Sequence, residues 1–339
     1  MNTAAEQEEQ QRRETYRDEL NFAEFPLASL STSLPKDQKT LEFTDEIFDR
    51  AKNQKVTRKL TITASDKYGL PAAMDDEVIL GLIQLTAKAD FSSRKVFFTR
   101  YQLLKLLDWS DHARNYDRVE DSLNRWLGVT LYYDKSWWSK EEQSWVNEGF
   151  HILDHVTIFD KERQRRKAKP RAPESGKSSF VWNEVVFNSF KAGYLKHIDY
   201  NFYKALESPI SKRMYRFLDK RFYHRETLQF DLRTFACEHI GLSKNYHNGE
   251  LKRVLTPAIT ELEQQAFLRP LSREERFLRK GRGSWTVVFM RQSVSGGEAE
   301  PELPELVVAL RDRGIGLRRL GEVDHICFPK LTQAGRNWG

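Results

Sequence analysis

The stretch Ser208–Tyr223, SPISKRMYRFLDKRFY, predicts an amphipathic helix with one strongly cationic face. Ser208 suits the N-cap, and Pro209 suits the first helical position, where a missing N–H costs no hydrogen bond. Apolar and basic residues then recur with the period of a helix on opposite faces. The apolar positions are Ile210, Met214, Phe217 and Leu218, and the basic ones are Lys212, Arg213, Arg216 and Lys220. Such a helix suits a DNA backbone, although a solvated surface helix gives the same pattern.

The residues after this helix predict a helix-turn-helix. A short strand over Thr227–Phe230 leads to Asp231, which can cap a helix over Leu232–His239. Gly241-Leu242-Ser243 supplies the turn before a long helix with a regular apolar face. The start of that helix would enter the major groove. Its candidate contacts are Lys244, Asn245, Tyr246, His247, Lys252 and Arg253.

A wing is predicted after the long helix, from strands over Phe267–Leu271 and Ser284–Met290. The connection between them is basic, and its candidate phosphate contacts are Arg276, Arg279, Lys280 and Arg282. Pro257 lies inside the long helix, where it removes one hydrogen bond. It predicts either an outward-facing kink or a separate helix capped by Thr256.

The first half of the chain predicts a similar order of elements. Helices are expected over Asp75–Ala87, over a short segment capped by Thr99, and over His112–Leu127. Arg114, Arg118 and Arg125 share the outer face of the third helix, where they can follow a DNA backbone. Strands are expected over Lys55–Thr63, Val129–Tyr133, Phe150–Phe159 and Ser179–Val186, with Trp137, Trp138 and Trp145 in a connection.

These patterns predict an α+β chain of two tandem winged-helix domains. Residues 1–45 are acidic and predict a disordered or loosely helical arm, because residues 1–50 carry 6 Lys or Arg against 12 Asp or Glu. The first domain is placed at 46–190 and is expected to make backbone contacts. The second domain is placed at 191–292, for sequence-specific binding, and carries 18 basic against 10 acidic residues over 200–292. A small helical appendage is expected over 293–339.

A basic loop over 161–177 lies within the first domain and includes KERQRRKAKPR. Arg165, Arg166 and Lys167 are candidates for phosphate contacts. A solvated loop and a nuclear localisation signal are the two alternatives. The 339 residues together carry a net charge of +6, and the distribution of this charge favours an anionic partner such as double-stranded DNA.

Motifs for other chemistry are absent from the sequence. There is no phosphate-binding loop, no H-E-x-x-H and no paired histidines that would hold a metal beside a nicking tyrosine. Cys237 and Cys327 form neither a disulfide framework nor a zinc pattern. We therefore expect no catalytic residues, no metal and no cofactor. No apolar run reaches the roughly 20 residues of a membrane span, so a cytoplasmic protein is expected.

Several stretches together resemble the replication initiator protein A family of bacterial plasmids. They are SPISKRMYRFLDKRFYHR, FDLRTFACEHIGLSKNY, LKRVLTPAITELEQQAFL and, in the first half, LLKLLDWSDHARNYDRVEDSLNRWLGVTL. The similarity runs from about residue 50 to about residue 292. It implies binding to repeated sites (iterons) at a plasmid origin, opening of nearby DNA, and recruitment of the host initiator and replicative helicase. It also implies copy-number control through a monomer–dimer equilibrium, with the first domain, 46–190, serving dimerisation.

Two other functions fit parts of the sequence. A transcriptional regulator with two winged helices would bind DNA in the same way. A rolling-circle nicking enzyme would also start plasmid replication, but it needs the metal-binding histidine pair that the sequence lacks. An initiator that binds origin DNA without catalysing a reaction is the first interpretation.

Overall fold

The computed structural model describes residues 16–31, 37–49, 53–159, 177–223 and 225–292. The described residues up to Gln292 form one compact unit, and residues 293–339 lie outside the described residues. The strands are β1 (Arg17–Glu19), β2 (Thr40–Asp49), β3 (Gln54–Thr63), β4 (Lys95–Phe98), β5 (Thr130–Ser139), β6 (Ser144–His151), β7 (Leu153–Thr157), β8 (Ser178–Trp182), β9 (Leu195–His197), β10 (Thr227–Asp231), β11 (Phe277–Gly281) and β12 (Ser284–Met290). The helices are α1 (Ala73–Lys88), α2 (Arg100–Leu107), α3 (Ala113–Gly128), α4 (Glu184–Lys191), α5 (Tyr200–Ala205), α6 (Pro209–Arg221), a π-helix (Thr234–Ile240), α7 (Asn248–Gln264) and α8 (Arg273–Arg276).

The same order of elements occurs twice along the chain. In the first half, α1, β4, α2 and α3 are followed by β7 and β8, and the strands pair in the order β4-β8-β7. In the second half, α6, β10, the π-helix and α7 are followed by β11 and β12, paired in the order β10-β12-β11. All these pairs are antiparallel. In each copy of this order, the strand that follows the first helix therefore lies beside the last strand.

The first half carries an additional sheet. Strands β5 and β6 form a hairpin between α3 and β7, and they complete a four-stranded antiparallel sheet in the order β2-β3-β5-β6. One face of this sheet is buried through Leu60, Ile62, Leu131 and Phe150. Trp137, Trp138 and Trp145 lie in β5 and β6 rather than in a connection, because the two strands continue further than their alternating pattern indicated.

The helix caps follow from the sequence. Ser208 Oγ accepts a hydrogen bond from the Ile210 N–H at 3.2 Å, and Pro209 occupies the first turn of α6. Thr99 Oγ1 accepts from the Gln102 N–H at 3.1 Å, and Asp231 Oδ1 accepts from the Thr234 N–H at 3.0 Å. These three predicted caps are confirmed. The predicted helix after Asp231 is a π-helix over most of its length.

Helix α7 is continuous through Pro257, so the alternative of two separate helices is wrong. Pro257 is exposed, as predicted, and its ring therefore meets solvent instead of the core. The Thr256 hydroxyl donates to the Lys252 carbonyl at 2.7 Å, one turn back in the helix. Thr256 thus lies inside the helix and does not cap a new one.

Some predicted strands have other bounds in the structure. The strand predicted over Ser179–Val186 ends at Trp182, because Asn183 caps α4 by accepting from the Val185 N–H at 3.0 Å. Phe267–Leu271 is not a strand of the wing, and Leu268 makes an isolated bridge to Arg291. Strand β11 occupies the second part of the segment predicted as a loop, and pairs with β12.

The N-terminal segment Tyr16–Ser31 is ordered, so the predicted disordered arm over 1–45 is wrong for it and for residues 37–45. Phe22, Ala23 and Phe25 are fully buried, and the two phenylalanines belong to the hydrophobic core cluster. Strand β1 pairs with β9 in antiparallel register. The apolar residues of this segment are clustered, and carboxylates of the segment form buried ion pairs. Burial of both kinds of side chain stabilises the segment despite the low average hydrophobicity that indicated disorder.

Candidate nucleic-acid interface

The cationic face of α6 is buried, contrary to the prediction that it contacts DNA. Arg216 is 0% exposed and donates to both Asp18, at 2.8 and 3.0 Å, and Asp76, at 2.8 Å. Arg213 is also buried, and its guanidinium donates to the carbonyls of His239, Phe22 and Ala23. The periodicity identified the helical face correctly, but it could not show that carboxylates and carbonyls distant in the chain cover that face.

The two lysines of the same face are engaged in the same way. Lys212 Nζ lies 2.7 Å from Glu77 Oε1, and Lys220 Nζ lies 2.5 Å from Glu24 Oε2. Lys220 also donates to the Leu20 carbonyl at 2.8 Å. Neither lysine is presented to a phosphate in this conformation, so the predicted DNA contacts of Lys212, Arg213, Arg216 and Lys220 are all corrected.

Glu24 is the centre of this buried network. Its carboxylate accepts from Arg58 of β3 at 2.7 Å and pairs with Lys220 and Arg221 of α6. Burial alone raises the pKa of Glu24, but the charges of Arg221, Lys220 and Arg58 outweigh burial and hold the pKa well below its ordinary value. One carboxylate from the N-terminal segment therefore links the first-half sheet to a helix of the second half.

The loop Ser243–His247, called here the 243–247 loop, is the exposed approach to α7. Lys244, Asn245, Tyr246 and His247 are all exposed, as is Arg253 on the first turns of the helix. Gly241 begins the turn with a φ of +94°, and its N–H donates to the Ala236 carbonyl. This left-handed conformation favours glycine, which explains the Gly-Leu-Ser turn predicted from sequence.

The wing formed by β11 and β12 lies beside the start of α7. Asn248 Nδ2 donates to the Gly283 carbonyl at 2.8 Å, which ties the first residue of the helix to the turn of the wing. Arg279, Lys280 and Arg282 are exposed on this hairpin. The exposed surface of the 243–247 loop therefore adjoins the surface that carries the three cations of the wing.

Two residues predicted to contact DNA here are buried instead. Lys252 is 7% exposed, and its Nζ lies 2.7 Å from the centroid of the Trp285 ring. Arg276 lies in α8 and donates to the Val288 carbonyl and, at 2.5 Å, to Glu263 Oε1. These side chains fasten α7 and the wing to each other, so their predicted phosphate contacts are corrected.

The first half offers a less cationic helix at the equivalent place. Arg114 of α3 is exposed, and Arg118 donates to Asn115 Oδ1 at 3.0 Å. Arg125 donates to both oxygens of Asp75 at 2.7 Å and to the Tyr68 carbonyl at 3.0 Å, so it holds α3 against α1 and its predicted backbone contact is corrected. Exposed Asp111, Asp117 and Asp121 lower the positive charge of this surface.

Several predictions lie outside the described residues. They include the phosphate contacts of Arg165, Arg166 and Lys167 and the helical appendage over 293–339. Within the described ranges, no group of three or more His, Cys, Asp or Glu side chains is arranged to hold a metal ion. No helix in the same ranges has the length and apolar character needed to cross a membrane.

Sequence reasoning missed Arg233, which stands just before the π-helix and is exposed. Its guanidinium donates to the carbonyls of Lys244 and Tyr246. The position of Arg233, two residues after a cap, does not predict these hydrogen bonds, because they depend on how the 243–247 loop folds back toward the π-helix. Arg273 is likewise exposed, at the start of α8 beside the wing.

Two solved structures and one family model are similar to the chain. The crystal structure of selenomethionine derivatives of domains 2 and 3 of RctB is similar to the chain, with a TM-score of 0.50, 13% identity, and coverage of 80% of this chain and 98% of that one. A second structure of RctB domains 2–3 has a TM-score of 0.42 at 13% identity, covering 76% and 94%. No curated protein sequence gives a significant match. The family model described as replication initiator protein A matches residues 17–249, and the chain therefore belongs to the replication initiator protein A family.

Proposed function

We propose that this protein initiates plasmid replication by binding repeated sites at its origin through two winged-helix units. The observation that carries the proposal is the surface of the second half, where the exposed start of α7 adjoins an exposed basic wing. A recognition helix with a flanking cationic hairpin is the arrangement by which helix-turn-helix proteins combine base contacts with phosphate contacts. The family assignment supports replication initiation as the process that this surface serves.

We propose that the two halves divide the work unequally. In the second half, Asn245, His247 and Arg253 are exposed and can donate or accept hydrogen bonds at base edges. In the first half, Arg114 stands among three exposed aspartates, which favours backbone positioning over sequence recognition. The first half also remains the candidate for self-association, as the family resemblance implies.

Opening of the origin would draw its energy from binding alone, without nucleotide hydrolysis. Several copies of the protein on adjacent sites can bend the duplex. Bending a site costs on the order of 1–6 kcal/mol, and each added protein–DNA contact offsets part of that cost. Host initiator and helicase would then act on the opened strand. Permanganate-sensitive thymines next to the bound sites, in supercoiled DNA without ATP, are the expected sign.

The decisive experiment is a footprint of the full chain on the DNA that flanks its own gene. We expect protection of several short repeats, and Asn245→Ala or Arg253→Ala should each weaken specific binding by about 1–3 kcal/mol. Lys191→Met is a suitable control, because Lys191 is exposed on α4 in the first half. If Asn245→Ala and Arg253→Ala both leave specific affinity unchanged, α7 is not the recognition helix.

The footprint, combined with opening and relaxation assays on supercoiled origin DNA, separates the initiator from the alternatives. A transcriptional regulator would protect a promoter-proximal operator and leave supercoiled origin DNA closed. A nicking enzyme would convert supercoiled origin DNA to the relaxed form in the presence of Mg²⁺. Protection of repeats with local opening and without relaxation supports the initiator.

A further inference from the structure

Arg233 connects the 243–247 loop to the helix that precedes it. Its Nη1 donates to the Tyr246 carbonyl at 2.8 Å and its Nη2 donates to the Lys244 carbonyl at 2.7 Å. The backbone N–H of Arg233 donates to Asp231 Oδ1 at 3.0 Å, which fixes the backbone position from which the arginine side chain extends. A guanidinium is a rigid fork, and two bonds from one fork fix the spacing of the two carbonyls that they reach.

The other hydrogen bonds of this loop are local, exposed or weak. Cys237 Sγ of the π-helix donates to the Ser243 carbonyl at 3.7 Å, but a thiol is a weak donor and this bond reaches only the first residue of the loop. The Tyr246 N–H donates to the Ser243 carbonyl at 3.2 Å, and the Asn245 N–H donates to Ser243 Oγ at 3.3 Å. Lys244 pairs with Glu238 at 2.9 Å, but the lysine side chain is 52% exposed, and exposed ion pairs contribute little stability. Arg233 is therefore well placed to determine the backbone shape on both sides of Asn245.

We propose that Arg233 is a positioning residue for sequence recognition, which holds the 243–247 loop in its DNA-binding shape before DNA arrives. This inference rests on the proposed function and deepens it. A loop that must order on binding loses part of its interaction energy to conformational entropy, whereas a preformed loop does not. Because the loop carries the base-facing candidates, its loss of shape reduces specific binding and leaves phosphate contacts on the wing intact.

An exposed arginine beside this surface could instead contact a phosphate, and the variant Arg233→Lys separates the two roles. Lysine keeps the positive charge but is a compact point charge on a flexible stem, without the planar fork that spans two carbonyls. Under the positioning role, Arg233→Lys behaves like Arg233→Gln. Under a phosphate role, Arg233→Lys behaves like the wild type.

The test compares full-length wild type, Arg233→Lys and Arg233→Gln on the footprinted site and on a scrambled duplex of equal length, over a range of salt. We expect both variants to lose about tenfold in specific affinity, the equivalent of one to two net hydrogen bonds, with little loss on the scrambled duplex. Arg279→Ala is the matched comparison, and should weaken both duplexes and lower the salt slope by about 0.9. Wild-type specificity in Arg233→Lys, or equal losses on both duplexes, would overturn the positioning role.

A second measurement does not depend on DNA. Hydrogen exchange of the backbone amides of residues 244–247 should become faster in both Arg233 variants of the free protein, and should not change in Arg279→Ala. Unchanged exchange means that Arg233 does not hold the loop, and the inference fails by itself. If exchange becomes faster but the wild-type protein binds no DNA site, the result supports the anchoring of the loop by Arg233. The same result overturns the recognition role together with the proposed function.

Discussion

Arg216 and Asp18 lie 198 positions apart in the chain and form a buried ion pair with an Nη2–Oδ1 distance of 2.8 Å. Neither side chain is exposed. The same guanidinium donates through Nη1 to Asp76 of α1 at 2.8 Å, so two carboxylates surround one arginine. The most basic helix of the second half is thus a structural element that joins both halves and the N-terminal segment, and its cations are not presented to a DNA backbone.

Replacing Arg216 should therefore weaken the fold itself. Arg216→Met leaves Asp18 buried without its partner, and breaking a buried pair in this way typically costs about 3–5 kcal/mol. The free energy of unfolding, measured from urea denaturation, should fall by that amount. Lys191→Met, at an exposed position, should change it by less than about 0.5 kcal/mol. Adding Asp18→Asn to Arg216→Met should recover part of the loss, and a fully stable Arg216→Met protein would contradict the role of the pair.

The exposed cations of the wing should account for the salt dependence of DNA binding. Arg279→Ala, Lys280→Ala and Arg282→Ala should each weaken binding to every sequence, because each removes one phosphate contact. The slope of log affinity against log salt should fall by about 0.9 in each variant. Titrations of one duplex at several salt concentrations measure this slope. Lys212→Gln is the matched control, because Lys212 is paired with Glu77 on α1. An equal fall in slope for Lys212→Gln would return α6 to the DNA interface.

Local patterns predicted local structure well in this chain. The Ser208, Thr99 and Asp231 caps lie where they were predicted, because a cap depends only on residues two or three positions away. The apolar face of α6 was also identified, since Met214, Phe217 and Leu218 are all buried. The exposure of four candidates could be predicted from the turn at Gly241 alone. They are Lys244, Asn245, Tyr246 and His247.

Partners distant in the chain could not be predicted in the same way. The basic pattern of α6 is the same whether phosphates or buried carboxylates lie opposite it. The carboxylates that do lie opposite it include Asp18 and Glu24, which are close to the start of the chain and therefore far from α6 in sequence. The acidity of residues 1–50 indicated a disordered arm, yet part of that acidity neutralises α6. Charge counts therefore misled in both places for one reason, which is that the opposite charges pair inside the protein.

Adjacent residues of α7 should behave in opposite ways. Lys252 is buried against Trp285, and burial lowers its pKa, with a smaller contribution from Arg273. Lys252→Met should remove the cation–π interaction and lower the free energy of unfolding by about 0.5–2 kcal/mol, with the salt slope unchanged. Arg253→Ala should keep the stability of the wild type and lose specific affinity. Urea denaturation and DNA titration of both variants measure the two effects, and a reduced salt slope in Lys252→Met would restore its predicted phosphate contact.

Glu19 should make the stability of the protein depend on pH near neutrality. Its carboxylate is fully buried and accepts from Phe22 N–H at 2.7 Å, Ser189 Oγ at 2.8 Å and Asn21 Nδ2 at 3.0 Å. Burial raises the pKa of Glu19 from 4.5 to about 7, and the hydrogen bond from Ser189 offsets only part of the rise. The folded protein therefore holds a proton that the unfolded chain releases at lower pH. The resulting stabilisation is present below pH 4.5 and is lost as the pH rises through about 7.

Glu19→Gln removes this titration and provides the test. The free energy of unfolding of the wild type minus that of Glu19→Gln should fall by up to about 3 kcal/mol between pH 4.5 and pH 7. Burial also lowers the pKa of His239 to about 4, which acts in the opposite direction, but His239 is present in both proteins and cancels in the difference. Glu141→Gln, at an exposed position, should reproduce the wild-type profile. Urea denaturation across this range measures the difference, and parallel profiles for wild type and Glu19→Gln would show that Glu19 does not hold the proton.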